Sequence, residues 1–240
     1  MLALWQILAR IGLGVADLQG FHRVALDGAI RAVAAIPVIV VLGIVIAQNG
    51  FKFTFSPKGS KKALFASAAL FLLILATFAR MLTHLAEADY DAGFILSYFA
   101  TYLIFDPGNS IWEETLWRGL LMTLPLYYFG DKAGGRLAIV LLASFLFSLV
   151  HFTNGLSGIV VAFLAGVGLS AVYAYSGNLL IPIIVHPFMN IFARFGIEQV
   201  HGAAIWEIFS ISQLTALVAI FVYGIIITIK AKPFSERFIF

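Results

Sequence analysis

LSGIVVAFLAGVGLSAVYAY, residues 156–175, runs for twenty positions without a charged side chain. At 1.5 Å per residue a helix of that length spans about 30 Å, the thickness of a bilayer's hydrocarbon core. A membrane-crossing helix is the direct reading. Working outward, charged residues and Gly, Pro or Asn breaks delimit further apolar runs at 137–152, 110–129, 92–105, 63–79 and 32–48 on one side, and at 179–193 and 208–229 on the other. The chain as a whole is 62% hydrophobic and only 11% Asp, Glu, Lys and Arg, against about 25% charged residues in ordinary soluble domains. A soluble globule of 240 residues has no interior large enough to hide that much apolar surface. The expected fold class is therefore all-α: a polytopic integral membrane helix bundle of about eight transmembrane helices.

The run at 92–105 is the shortest. Only fourteen residues separate Asp91 from Asp106, about 21 Å of helix, so this segment is expected to be re-entrant or partly buried in protein. Connections between runs are short and leave no room for a soluble second domain, which makes 1–240 a single membrane domain with its motif-bearing core at 110–194. No internal repeat is visible. Leu4, Leu8, Ile11 and Val15 fall on one helical face, and Arg10 interrupts the first apolar stretch. These features predict an interfacial helix rather than a cleaved signal peptide. Both ends and the 131–136 loop are basic, but so is the first connection with Lys52, Lys58, Lys61 and Lys62, and the positive-inside count leaves orientation open.

Composition excludes several functions. The net charge of +3 comes from residues scattered at segment ends, a membrane-flanking pattern and not the basic stripe of a nucleic-acid binder. There is no cysteine, which removes thiol catalysis, disulfides and Cys-based metal sites. His22, His84 and His201 fall in predicted connections.

Charged side chains inside a span cost roughly 2.5 to 3.5 kcal/mol each at mid-membrane on insertion scales, so they face the bundle interior and mark function. Here they cluster. Glu113-Glu114-Thr115-Leu116-Trp117-Arg118 places three charges in an otherwise apolar helix. Glu114 and Arg118 stand four apart on one face, a favourable ion pair, while Glu113 points roughly 100° away and is left without that partner. Asn109 or Ser110 can cap such a helix start, where acids also complement the dipole. Two more pairs share helical faces: Phe147 with His151 near the end of 137–152, and His186 with Asn190 inside 179–193. Glu113 near the beginning of one antiparallel neighbour and His151 near the end of the next are expected to meet. Pro182 and Pro187 bracket His186 and favour a polar cavity beside it. A carboxylate with an imidazole can deprotonate a water, and a second imidazole with an amide can hydrogen-bond a tetrahedral oxyanion.

Glu113-Glu114-x-x-x-Arg118, Phe147-x-x-x-His151 and His186-x-x-x-Asn190, in that order on separate apolar segments, resemble the three motifs of the CAAX-protease and bacteriocin-processing family of glutamic-type intramembrane endopeptidases. The resemblance covers about residues 110–194. It implies that Glu113 and His151 activate the water and that His186 and Asn190 form the oxyanion site. Glu114 and Arg118 would hold the first motif, and Phe147 would pack beside His151. Trp117 stands where family members often carry Phe. The resemblance further implies a substrate that is a membrane-associated peptide or protein, cleaved at a CAAX-like tail, leader or signal-like segment. The implied setting is a prokaryotic cell membrane, with a eukaryotic endomembrane the alternative.

Rival readings are weaker on residues. Gly155-Leu156-Ser157-Gly158 opens a span as a serine nucleophile motif would, but His186 lies in a Val-His-Pro context. Phe129-Gly130-Asp131 is only a fragment of an aspartyl motif, and His-Glu-x-x-His is absent. No cofactor is expected, although Glu113, His151 and His186 could supply three zinc ligands with an open position for water. The non-enzymatic alternative is a scaffold, immunity factor or transporter using the same cavity for binding. Membrane lipid is the remaining expected partner, nucleic acid is not, and oligomeric state is open.

Overall fold

The computed structural model describes residues 21–48, 64–87, 92–197 and 211–233. Helix α1 (Phe21–Gln48) is followed by α2 (Ala68–Glu87) and α3 (Ala92–Glu114). A π-helical segment, Thr115–Leu120, joins α3 to α4 (Leu121–Phe129). Then come α5 (Ala133–Leu149), a 3-10 turn at Phe152–Asn154, α6 (Gly155–Ser176), α7 (Leu180–Ile197) and α8 (Ile211–Lys230). Among the described residues there is no strand, and the all-α expectation is met. The expected interfacial helix around Leu4 to Val15, and His201, lie outside the described residues.

The bundle has an apolar exterior, and polar side chains are buried among its helices. Val33, Ile36, Val40, Val41 and Ile44 of α1 face outward, as do Leu72, Leu75, Leu142, Phe145 and Ile184 of other helices. Asp106, Ser110, Glu114, Thr115, Arg118, Ser144 and Ser170 are fully buried. Water would drive the opposite arrangement, whereas lipid solvates the apolar exterior and leaves polar groups to satisfy one another inside. Among the described residues two helices are long and apolar enough to cross a membrane, Phe152–Ser176 and Gln213–Lys230. Shorter apolar helices occupy Ala68–Ala79, Ala133–Leu149 and Leu180–Ile191.

Helix α6 lies between α5 and α8, α7 packs on both α2 and α3, and α1 runs along α3. Leu70, Leu169, Val172, Val185, Leu217 and Ile220 form one core between α2, α6, α7 and α8. Met122, Leu126, Val140, Val167 and Tyr173 form a second between α4, α5 and α6. At one end of the bundle, buried Arg136 donates to the carbonyls of Gly130, Asp131, Thr228 and Ile229. A cation thereby satisfies the open C-terminal carbonyls around α4 and α8.

Three boundaries differ from the sequence expectation. The runs 92–105 and 110–129 are not separate spans: Ala92–Phe129 is one continuous helical path, roughly 57 Å at 1.5 Å per residue. Asp106-Pro107-Gly108-Asn109 reads as a break by local propensity, but here Asp106, Gly108 and Asn109 are buried against protein. In such packing a helix continues through proline because neighbouring groups replace the lost backbone bond. The described residues thus hold seven helical paths, not eight separate spans. Second, α5 ends at Leu149, before Phe152, and His151 sits in the following turn. Third, His22 and His84 are helical, in α1 and α2, and not in connections; helices extend past their apolar runs where polar residues reach the interface.

The α1–α3 crossing rests on two glycines. A Cβ on Gly28 would come within 2.5 Å of the Phe105 Cα, and one on Gly108 would collide with the Gly28 carbonyl. Both obstacles are backbone, so a side chain cannot be accommodated by a rotamer change. Gly108→Val is expected to lower the midpoint of thermal unfolding in detergent by several degrees and to reduce folded yield. Wild-type stability of that variant would show that the helices do not cross so closely.

Candidate active site

The site forms where α3 gives way to the π-helical segment, the kind of local widening that recurs at functional positions. Glu113 and Glu114 end α3, and Arg118 lies one turn on. Arg118 donates from Nη1 to Glu114 Oε1 at 2.9 Å, with both side chains fully buried. Two more donors go to α6: Nε to Ser170 Oγ at 3.3 Å and Nη2 to the Gly166 carbonyl at 3.2 Å. The guanidinium carbon stands 4.6 Å from the Phe147 ring centroid. A buried cation requires such partners, since each unmet donor adds its desolvation cost. Ser144 Oγ donates to Ser170 Oγ at 3.3 Å and ties α5 into the same network.

Helix α7 brings His186 onto the acid pair. Its Nδ1 is 2.7 Å from Glu114 Oε1, and its Nε2 is 3.7 Å from Glu113 Oε2. The second distance exceeds a hydrogen bond, so both atoms face each other without being consumed by each other. Glu113 Oε1 accepts from Asn109 Nδ2 at 2.8 Å, while among the described residues Glu113 Oε2 accepts no hydrogen bond. With Nδ1 engaged by Glu114, Nε2 is the edge of the imidazole left for chemistry. Pro182 falls in the first turn of α7, where a missing N–H costs nothing, and Pro187 interrupts the ladder beside His186.

His151 approaches from another side. Its Nδ1 lies 3.0 Å from the Phe147 carbonyl, so this nitrogen carries the proton and caps the end of α5. The His151 ring is 4.7 Å from the Phe147 ring, and His186 is 5.9 Å from it; the two histidines flank one phenylalanine. Trp117 packs edge-on to the same ring at 5.9 Å. Asn190, one turn beyond His186, is half-buried.

The structure therefore gathers Glu113, Glu114, Arg118, Phe147, His151 and His186 around one point, with Asn190 adjoining. It adds one pairing to the sequence expectation: the imidazole of His186 stands opposite Glu113. The reason is that α7 packs directly on α3, while His151 stands in the turn after α5 and bonds the Phe147 carbonyl. Glu113 is also not solitary, because Asn109 holds one of its oxygens instead of capping a helix. Asn109 stands four residues before Glu113, a spacing legible in sequence. The roles of Ser170, Ser144 and the Gly166 carbonyl carried no such signal. Among the described residues no three His, Asp or Glu side chains are arranged as a metal-ligand set.

Residues 92–192 match the family model described as Type II CAAX prenyl endopeptidase Rce1-like, the family type that the three motifs resemble. The match covers every residue of the site just described. No curated protein and no solved structure matches the chain significantly.

Proposed function

We propose, on the premise that residues 92–192 are those of a type II CAAX prenyl endopeptidase-like protease, that the chain is a multi-pass intramembrane endopeptidase of the glutamic type. The observation that carries this reading is Glu113 Oε2 facing His186 Nε2 at 3.7 Å while their other polar atoms are held by Asn109 and Glu114. A water set against these two atoms loses its proton to Glu113 as its oxygen bonds to the scissile carbonyl carbon. Negative charge then gathers on the carbonyl oxygen. His186, when protonated on both nitrogens, donates to that oxyanion from Nε2, and the Asn190 amide donates beside it. His151 keeps its Nδ1–H on the Phe147 carbonyl, which leaves Nε2 as an acceptor able to share the proton traffic. Collapse of the tetrahedral species breaks the carbon–nitrogen bond, and the proton held by Glu113 passes to the departing amine.

Glu114, Arg118 and Phe147 are support in this scheme. No metal takes part. The scissile segment arrives from lipid or from the membrane boundary, because the site is enclosed by helices whose outer faces are apolar. The substrate class is a membrane-associated protein or peptide with a prenylated CAAX tail or a similarly lipid-proximal segment.

The test is cleavage of a farnesylated, CAAX-ended peptide by the purified protein in liposomes, before and after exhaustive chelation. It is paired with comparison of membrane-protein termini in cells carrying active or Glu113→Ala protein. New termini that depend on Glu113, with turnover unaffected by chelator, are expected. Identical termini in both cells would argue against proteolysis altogether. Activity lost on chelation and restored by zinc would make Glu113 a ligand instead of a base.

A further inference from the structure

A general base must present a fixed oxygen. A glutamate has three side-chain torsions, so a carboxylate at the edge of a cavity needs something to hold it. Glu113 has such a hold in Asn109, whose Nδ2 donates to Oε1 at 2.8 Å and leaves Oε2 turned toward His186 at 3.7 Å. Asn109 is itself buried, and its own oxygen is satisfied from a distant part of the chain: Arg31 Nη1 of α1 donates to Asn109 Oδ1 at 2.7 Å. Arg31 is in turn set by Asp27 Oδ2 at 2.9 Å, one turn back on α1, and by the Phe105 ring, 5.7 Å below its guanidinium. The Gly28–Gly108 crossing is what brings α1 near enough, since Arg31 lies one turn past Gly28 and Asn109 directly follows Gly108.

The choice of an amide in the middle of this chain is chemically informative. An arginine touching Glu113 directly would occupy its carboxylate as Arg118 occupies that of Glu114. An asparagine transmits position without charge: it takes a hydrogen bond from the cation on one side and gives one to the base on the other. Asp27 meanwhile supplies the counter-charge to Arg31. Two adjacent glutamates are thus held by opposite devices, Glu114 by a cation and Glu113 by a neutral amide.

We infer that Asn109, seated by Arg31 of the first helix, is a positioning residue that aims the Glu113 carboxylate at the attacking water, so that α1, which lies outside the matched segment, takes part in setting the catalytic geometry. The inference rests on Glu113 being the base. Neither residue touches substrate, so its signature is a fall in kcat with KM held. It also requires dependence of one residue on the other.

The experiment measures steady-state cleavage of a farnesylated, CAAX-ended peptide in liposomes by the full chain and its Asn109→Ala, Arg31→Gln, Arg31→Lys, double Asn109→Ala/Arg31→Gln and Glu113→Gln variants. Asn109→Ala is expected to lower kcat about 10- to 100-fold with KM within twofold, the scale of misaligned general-base catalysis. Arg31→Gln should lower it less, Arg31→Lys should recover part of the loss, and the double variant should be no slower than Asn109→Ala alone. If Asn109→Ala does not fold, Arg31→Gln decides: lowered kcat at unchanged KM supports the inference, and unchanged kcat overturns it. Losses that multiply in the double variant, or a rise in KM alone, also overturn it. Inactive Glu113→Gln beside fully active Asn109→Ala defeats this inference and spares the proposed function. Active Glu113→Gln, or no cleavage by the wild-type chain, defeats the proposed function itself.

Discussion

Glu113→Gln is expected to abolish turnover, by about 1,000-fold or more, while leaving the protein folded and able to bind substrate. The substitution keeps shape and volume and removes only the atom that takes the proton; general acid–base catalysis is worth about 100- to 10,000-fold, and the only other carboxylate at the site, that of Glu114, is ion-paired to Arg118. Glu114 does not substitute, because its Oε1 is already shared by Arg118 at 2.9 Å and His186 at 2.7 Å. The carboxamide oxygen introduced by Glu113→Gln can still accept from Asn109, so the local structure should persist. The measurement is single-turnover cleavage in liposomes together with a thermal melt of the same preparation. Full activity in a purified, correctly sequenced variant would refute the assignment of Glu113. Full loss of folding would shift Glu113 to a structural role. His186→Ala and Asn190→Ala should act differently, slowing turnover by about 100- to 1,000-fold each with less effect on binding, as removal of an oxyanion donor does.

The second large effect concerns stability. Arg118→Met should destabilise the bundle by roughly 3 to 5 kcal/mol, because it takes the arginine cation from the fully buried Glu114 carboxylate and leaves it only the bond to His186 Nδ1. It also removes the bonds that Arg118 gives to the Gly166 carbonyl and to Ser170 Oγ. Glu114→Gln should cost a similar amount by stranding the cation. Removing both charges together, in Glu114→Gln/Arg118→Met, should cost clearly less than the two losses combined, since neither charge is then left alone. Denaturant-induced unfolding in mixed micelles reads all three. Single variants within about 1 kcal/mol of wild type would mean that water or lipid headgroups reach the pair, contrary to its burial. This pair also explains why two adjacent and chemically identical glutamates separate so sharply in expected phenotype: Glu114 loses the fold, Glu113 loses the reaction.

Much of the site was legible in one dimension because its parts are local. Glu114 and Arg118 are four apart on a helix, so their ion pair follows from helical geometry alone. The contact of Phe147 with His151 is of the same kind, and it persists although His151 lies past the end of α5, because the capping bond from Nδ1 to the Phe147 carbonyl spans the same four residues. The Asn109–Glu113 bond obeys the same spacing. It was obscured because Asp106-Pro107-Gly108-Asn109 has the composition of a break, and a residue in a break is read as a cap. Local propensity is a statement about a segment in solvent. Once α1 covers Gly108 at backbone distance and Arg31 satisfies Asn109, continuing the helix buries fewer unmet polar groups than ending it there.

By itself, then, the sequence determined that this is a helical membrane protein, since 62% apolar residues in uncharged runs of bilayer length admit no soluble fold. It also determined which seven side chains bear the motifs and which acid has a neighbour on its own helix. Tertiary structure alone decided that the imidazole of His186, 73 positions away, faces Glu113. It alone decided that Arg118 ends in α6 and that Arg31 reaches Asn109 across 78 positions. The reason is physical: a helix specifies the angular order of its own side chains every 3.6 residues, but which face meets which neighbour depends on where two backbones can approach. At the α1–α3 crossing that is set by Gly28 and Gly108, whose lack of a side chain has no visible consequence until another helix lies against them.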